Sequence, residues 1–123
     1  MIRIQIEKKR PNFRPGEAIN GIVQWQEVHG DVLEIRLVWY TAGDSGGDAE
    51  TVAIHKIAPL QPAGRDPFQF TAPHRPLSYD GKLFSVNWAL EALVFPAQAG
   101  LQLDLVISNT GKVLKPHAAS SKK

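Results

Sequence analysis

Apolar and polar residues alternate with a period of two along most of this chain. In the first segment Ile2, Ile4 and Ile6 fall on one side, and polar residues lie between them. Successive side chains of a β-strand point to opposite faces, so this alternation is typical of a strand with one buried face. The longer period that marks an amphipathic helix is hard to find anywhere in the sequence.

Several segments carry the alternation, and each is expected to form a strand. They are residues 2–7, 18–26, 32–41, 51–57, 68–72, 84–94 and 101–108. The pattern is cleanest in residues 32–41, where the odd-numbered residues from Leu33 to Trp39 share an apolar face and Glu34 and Arg36 lie on its reverse. It predicts a central strand. In residues 51–57 the two faces are less distinct, which predicts a strand at the edge of a sheet.

Because each predicted strand has one apolar face, two sheets must cover each other's apolar faces. The expected fold is all-β, an antiparallel immunoglobulin-like β-sandwich of about seven strands. A small open barrel is the structural alternative. We assign residues 1–110 to this domain and residues 111–123 to a basic C-terminal tail, which we expect to be flexible.

The composition limits the class of protein further. Of the 123 residues, 43% are hydrophobic and 21% are charged, as expected of one globular domain. The chain has no cysteine, which excludes a disulfide, a thiolate zinc site and a cysteine nucleophile. No apolar run is long enough to span a bilayer, and the first residues alternate instead of forming a secretory signal. We therefore expect a cytoplasmic protein.

The charge is nearly balanced, with 14 basic and 12 acidic residues. Much of the basic excess lies near the two ends of the sequence, at Lys8, Lys9, Arg10, Lys112, Lys115, Lys122 and Lys123. No aromatic residues interleave with these lysines, as stacking on nucleic-acid bases requires. We predict that the protein does not bind nucleic acid and that any association with membranes is indirect.

A proline-rich corner, "APHRPLSYDG", directly precedes one of the longest predicted strands. Pro73 and Pro76 fix their own backbone torsions and push the residues before them toward extended geometry. Asp80-Gly81 then supplies a tight turn. A simple hairpin is the alternative, because Asp-Gly is a strong hairpin signal, but both prolines would then fall in a pairing strand. We favour a crossing between the two sheets.

Two stretches resemble the arrestin family. "FRPGEAINGIVQW" is similar to its Pro-Gly-Glu turn and glycine-bearing strand, and "GRDPFQFTAPHRPLSYDGKLFSVNWALEA" is similar to its Phe-x-Phe strand and proline-containing loop. The resemblance covers most of residues 1–108. It implies an arrestin-like sandwich that serves as a scaffold or adaptor, binds other proteins and sometimes membranes, and has no catalysis of its own.

The chain departs from the arrestin pattern in two ways. Arrestins join two such domains, and this chain has room for one, so the other half would be a partner chain, a second copy or absent. The phosphate-sensing lysines of receptor-binding arrestins lie in a motif that is not found here, since Lys8 and Lys9 fall at the end of the first strand. Phosphate sensing is therefore not predicted for this chain.

The candidate metal ligands do not form a recognisable set. Four histidines lie in four different segments: His29, His55, His74 and His117. None of them has a metal-ligand spacing to another histidine. The acidic stretch with Asp44, Asp48 and Glu50 has oxygen ligands that calcium uses, but it lacks the order of an EF-hand loop and is interpreted as a hairpin tip.

Catalytic residues are not recognisable either. None of the serines Ser45, Ser78, Ser85 and Ser108 lies in a nucleophile elbow, and Ser78 is interpreted as a turn residue. Glu34, Glu91 and Asp104 could meet as paired carboxylates, yet all three fall on predicted outward faces. No catalytic, cofactor-binding or metal-binding residue is therefore predicted.

The three tryptophans distinguish two hypotheses of function. An exposed set of Trp25, Trp39 and Trp88 would suit a carbohydrate-binding module, but each is in register with the aliphatic row of its strand, which favours the core. Tyr40 falls on the polar face and is a candidate surface contact. The leading hypothesis is a non-enzymatic protein-interaction module, with a homodimer as one possibility; carbohydrate binding is the alternative, and a small hydrolase ranks last.

Overall fold

The structure, a computed structural model, describes residues 1–43, 47–110 and 112–115. These residues form no helix, and hence none long and apolar enough to cross a membrane. Their strands are β1 Ile2–Ile6, β2 Asn12–Phe13, β3 Ala18–Trp25, β4 Val32–Gly43, β5 Ala49–Ile57, β6 Gly64–Thr71, β7 Tyr79–Asp80, β8 Phe84–Phe95 and β9 Ala99–Ile107. The predicted hairpin tip at 44–46 and the end of the predicted tail at 116–123 lie outside the described residues.

The strands form two sheets. The smaller has the order β1-β3-β6, and the larger has the order β2-β9-β8-β4-β5, with β7 pairing to β8. Every pairing between these strands is antiparallel except that of β2 with β9, which is parallel. The predicted arrestin-like, immunoglobulin-like all-β sandwich is confirmed. Each predicted strand corresponds to one of the longer strands, and the two-residue strands β2 and β7 are additional.

The core lies between the two sheets and follows the predicted rows. It includes Ile19 and Val23 of the smaller sheet and Leu33, Ile35 and Leu90 of the larger one, all of them fully buried. Since these side chains alternate with polar ones along each strand, the period of two in the sequence is the pattern of this core. The core explains why the chain folds without a disulfide.

Two residues break the predicted rows. Phe84 was expected to point inward, but it is the first residue of β8 and is 44% exposed, with its ring against Tyr79. Ser108 was expected to point outward, but it is fully buried, and its N–H donates to the Phe13 carbonyl oxygen at 3.0 Å. In both cases the residue lies at or beyond the end of its strand, where strict alternation ceases.

The positions of the central and edge strands are confirmed. β4 lies between β5 and β8, whereas β5 pairs with β4 alone among the strands that the structure describes. A β-bulge interrupts the pairing of β4 with β5, because Leu37 is opposite Ala53 and Val38 is opposite Thr51. Val52 is therefore an extra residue on β5. The bulge divides β5 into residues 49–51 and residues 53–57, the longer regular part of this edge.

The proline-rich corner crosses between the sheets, as predicted. β6 belongs to the smaller sheet and β8 to the larger one. Trp88 fixes the corner, because its indole N–H donates to the Pro76 carbonyl oxygen at 2.8 Å. A short β7–β8 hairpin follows the crossing, with Lys82 and Leu83 at its tip instead of the Asp80-Gly81 pair, since the Gly81 N–H donates to the Phe84 carbonyl at 3.0 Å.

The two stretches that resemble the arrestin family pair with each other. β3 and β6 are antiparallel neighbours, with Gly21 opposite Phe68. The turn before β3 is tied to the end of β6, since the Gly16 N–H donates to the Ala72 carbonyl at 2.7 Å and the Ala72 N–H donates to that of Glu17 at 2.9 Å. Gly16 adopts a φ of +87°, which favours glycine.

Residues 112–115, from the segment assigned to the tail, contact the domain. Leu114 forms a parallel bridge with Tyr79. The Asp80 N–H donates to the Leu114 carbonyl at 2.8 Å, and the Leu114 N–H donates to that of Ser78 at 3.2 Å. Leu114 therefore lies along the outer side of β7.

Candidate interaction surface

The histidines do not converge on one site. His55 of β5 joins the edges of the two sheets, with its Nε2 atom 2.7 Å from Oδ2 of Asp66 on β6. His74 is exposed in the proline-rich corner, and His117 lies outside the described residues. Within the described ranges, no three His, Asp or Glu side chains gather in a group that could hold a metal ion.

Asp48, through its backbone, and Glu50, through its carboxylate, form hydrogen bonds within the β4–β5 hairpin. The Asp48 N–H donates to the Thr41 hydroxyl at 2.8 Å, and Glu50 accepts a hydrogen bond from the Trp39 indole at 3.1 Å. Asp44 lies outside the described residues. The Asp48 and Glu50 contacts are the ones expected of a hairpin, the interpretation that the sequence favoured over a calcium loop.

The candidate serines have structural contacts. Ser78 is buried, and its hydroxyl accepts a hydrogen bond from the Ile107 N–H at 3.0 Å. Ser85 accepts a hydrogen bond from the Asn87 side chain at 2.9 Å. Ser45 lies outside the described residues. Ser78 directly precedes β7, and the sequence carried no signal for its role in joining the corner to β9.

The candidate carboxylates lie on the outer face of the larger sheet, on the adjacent strands β4, β8 and β9. Glu34 accepts hydrogen bonds from the Arg36 guanidinium at 2.8 Å, and Asp104 accepts one from Gln102 at 3.0 Å. Glu91 is opposite Arg36 on β4 and Gln102 on β9. Arg36 is directed to Glu34 and to the Phe95 ring, 5.3 Å away, and Glu91 forms no ion pair with any described residue.

The tryptophans belong to the core, as predicted, although not to the same depth. Trp25 and Trp88 are buried, and Trp39 is half-buried and packs against the core. The Trp25 indole N–H donates to the Gln61 carbonyl oxygen at 2.8 Å. The three rings therefore do not form an exposed platform.

The edge strand β5 carries exposed apolar side chains. Val52 is 39% exposed and Ile54 is 51% exposed. An edge strand leaves a row of backbone N–H and C=O groups without a neighbouring strand, and such a row is a template for pairing. Apolar side chains and backbone pairing groups thus lie on the same strand.

A shallow cavity of about 390 Å³ lies beside β5 on the outer face. Its lining residues include Val38, Tyr40, Thr51, Glu91 and Gln102. The Tyr40 hydroxyl accepts a hydrogen bond from the Gln102 side chain at 3.3 Å. We call these five residues together with Val52 and Ile54 the β5 surface. It combines an apolar edge with a carboxylate that is free of ion pairs to described residues.

Glu17 has a perturbed pKa but lies away from the β5 surface, in the turn before β3. A hydrogen bond from the Arg14 N–H, at 2.8 Å, and one from the Lys8 side chain, at 2.9 Å, lower the pKa of Glu17. The Glu17 N–H in turn donates to the Arg14 carbonyl at 3.0 Å. The carboxylate therefore stabilises the turn.

Comparison with known proteins supports the fold. No protein family and no curated protein matches the sequence. Among solved structures, Spo0M, the sporulation control protein from Bacillus subtilis, is similar with a TM-score of 0.55 and 15% identity, over 87% of this chain and 48% of Spo0M. This chain thus spans about half the length of Spo0M. The likeness is one of fold, and it agrees with the arrestin-like sandwich.

A β-glucosidase from Listeria innocua is also similar in part. Its complex with gluconolactone gives a TM-score of 0.46 at 17% identity, over 88% of this chain and 16% of the enzyme. Its complex with isofagomine gives a TM-score of 0.43 at 15% identity, over 87% of this chain and 16% of the enzyme. These matches are too distant to bear on the function.

Proposed function

We propose that the protein is a non-enzymatic interaction module, a scaffold or adaptor that binds another protein through the β5 surface. The observation that carries the proposal is the exposure of Val52 and Ile54 on a strand with a free edge. A partner segment that pairs with residues 53–57 would gain backbone hydrogen bonds and cover Ile54. Each square ångström of apolar surface that it buries contributes about 25 cal/mol.

The cavity beside β5 gives the partner's side chains a place to bind. Glu91 is available for a cationic side chain, because Arg36 is held by Glu34. Val38 and the Tyr40 ring offer apolar contact for the stem of such a side chain. A partner with an apolar residue for Ile54 and a lysine or arginine for Glu91 fits this surface.

A second copy of the chain is one such partner, and dimerisation is part of the proposal. Light scattering after size exclusion tests it, since pairing through β5 predicts a dimer that Ile54→Asp converts to a monomer. The proposal also includes the absence of catalysis and of nucleic-acid binding. The engagement of Glu34 by Arg36 and of Asp104 by Gln102 disfavours a pair of catalytic carboxylates. The cytoplasmic location stays a prediction.

Capture of partners by the immobilised protein tests the proposal. We expect the wild type to retain specific proteins from native lysate and Ile54→Asp to lose them. Leu83→Asp is the matched control, because it places the same charge on another exposed apolar residue, in the turn between β7 and β8. Equal capture by the wild type and Ile54→Asp would contradict the role of the β5 surface.

Carbohydrate binding is the second candidate function, and Tyr40 favours it. Its ring lies on the outer face beside Gln102 and Glu91, and an aromatic ring with neighbouring polar groups suits a sugar. Binding to a glycan array that Tyr40→Ala abolishes and Ile54→Asp preserves would favour this function over protein binding.

A further inference from the structure

A second exposed apolar cluster lies at the β7–β8 hairpin and includes none of the residues of the β5 surface. Leu83 is 72% exposed, and Phe84 and Leu114 are 44% and 43% exposed. Tyr79 links them, because its ring centroid is 5.2 Å from that of Phe84 and its backbone forms the bridge with Leu114. The cluster therefore unites the β7–β8 hairpin with residues 112–115.

The backbone of the hairpin is fixed while its apolar side chains stand out. The Gly81–Phe84 hydrogen bond closes the turn. Gly43 packs so closely behind it that an added Cβ atom would lie 2.2 Å from the Leu83 carbonyl oxygen. Leu83 thus lies at the tip of a braced, convex turn.

Three exposed lysines adjoin the cluster in the sequence. Lys82 precedes Leu83 in the turn, Lys112 and Lys115 lie on either side of Leu114, and all three are exposed. Asp80 is the acidic residue of the hairpin. The β4–β5 hairpin, with Asp48 and Glu50, adjoins this turn through Gly43. Within the cluster itself, three lysines stand against one aspartate. The cluster and its lysines, which we call the basic tip, thus carry a local excess of positive charge.

We propose that the basic tip binds an anionic lipid bilayer. Leu83 and Phe84 would enter the interface between headgroups and acyl chains, and the three lysines would contact the lipid phosphates and carboxylates. Tyr79 suits the same depth, because its ring is apolar and its hydroxyl is polar. A convex tip fits a fluid bilayer, which adapts to its shape, whereas a protein partner would need a matching hollow.

This proposal goes beyond protein binding and uses a different surface. It also revises the sequence prediction that membranes are contacted only indirectly. That prediction depended on the lack of aromatic residues beside Lys112 and Lys115 in the sequence. The fold brings the backbone of Tyr79 next to Leu114, which lies between these lysines in the sequence, and the Phe84 ring next to Tyr79.

Sedimentation of the full chain with lipid vesicles tests the proposal. We expect the protein to bind vesicles that contain both phosphatidylcholine and phosphatidylserine and to dissociate from them as the salt concentration rises. It should not bind vesicles of phosphatidylcholine alone. Leu83→Asp should abolish binding. Each of Lys82→Gln, Lys112→Gln and Lys115→Gln should weaken the partition coefficient about five-fold, since one basic residue near an anionic surface contributes about that much.

The matched control is Ala63→Asp, which adds the same charge to an exposed residue between β5 and β6. It should bind vesicles as the wild type does, and all variants should keep the wild-type unfolding temperature. Equal sedimentation with both kinds of vesicle, or wild-type binding by Leu83→Asp, would overturn the proposal. The proposal would also be overturned if the wild type bound no vesicles and Leu83→Asp lost a protein that the wild type captures. That result would show that the basic tip binds a protein. If the β5 surface does not bind a protein, Ile54→Asp will capture the same proteins as the wild type. The outcome of the vesicle experiment does not depend on that result.

Discussion

The Trp88 indole N–H donates to the Pro76 carbonyl oxygen at 2.8 Å and so ties the crossing between the sheets to the centre of the core. Trp88→Phe removes the donor from a buried acceptor and leaves a void. We expect it to lower the free energy of unfolding by about 2–4 kcal/mol, measured in urea. Trp39→Phe is the comparison, because the Trp39 indole donates to the exposed Glu50. A larger loss of unfolding free energy in Trp39→Phe than in Trp88→Phe would contradict the role given to Trp88.

Gly21 allows β3 to pack against the aromatic ring of Phe68. An added Cβ atom would lie 2.5 Å from that ring and 2.8 Å from the Gln5 carbonyl oxygen. We therefore expect Gly21→Ala to destabilise the fold by about 1–3 kcal/mol, although glycine to alanine often stabilises an unstrained site. Phe68→Leu should recover part of the loss in a double-mutant cycle of urea unfolding, and strict additivity would argue against this clash.

The two buried serines should respond in opposite ways to loss of the hydroxyl. Ser78→Ala leaves the Ile107 N–H without its acceptor and should cost about 1–3 kcal/mol. The Ser108 hydroxyl is buried without a hydrogen-bond partner among the described residues, so Ser108→Ala should be neutral or stabilising. Thermal unfolding of both variants compares them directly. Equal destabilisation would show that Ser108 has a partner.

Stability should depend on the ionisation of Glu17. Its pKa is lowered in the fold from the ordinary value of 4.5, so the folded state binds its proton less readily than the unfolded chain does. The stabilisation is present above that value and is lost as the pH falls through the lower, folded pKa. Because the carboxylate is partly exposed, Glu17→Gln should cost at most about 1 kcal/mol at neutral pH. Urea unfolding at neutral and at strongly acidic pH should show that difference disappear, and an equal difference at both would contradict it.

Much of the fold is predictable because its core follows the period of two. The long rows from Leu33 to Leu37 in β4 and from Trp88 to Val94 in β8 are buried as the alternation predicts. β2 and β7 were missed because two residues carry no periodic signal. They pair through contacts distant in sequence, such as that of Phe13 with Ile107.

The surfaces were less predictable, because they depend on breaks in the pattern. The weak alternation of residues 51–57 was a sign of the β5 edge, but the bulge at Val52 depends on pairing with β4. The basic tip joins the hairpin at Leu83 with Leu114, and no local pattern relates these two residues. Sequence periodicity shows which face of a strand is buried. It does not show which exposed residues, distant in sequence, lie close together at the ends of the strands.

Amide hydrogen exchange of β5, in the free protein and in complex with its captured partner, tests the central claim most directly. Pairing along the edge predicts slower exchange of residues 53–57 in the complex and unchanged exchange in the β7–β8 hairpin. Protection elsewhere, with β5 unchanged, would contradict binding through this strand.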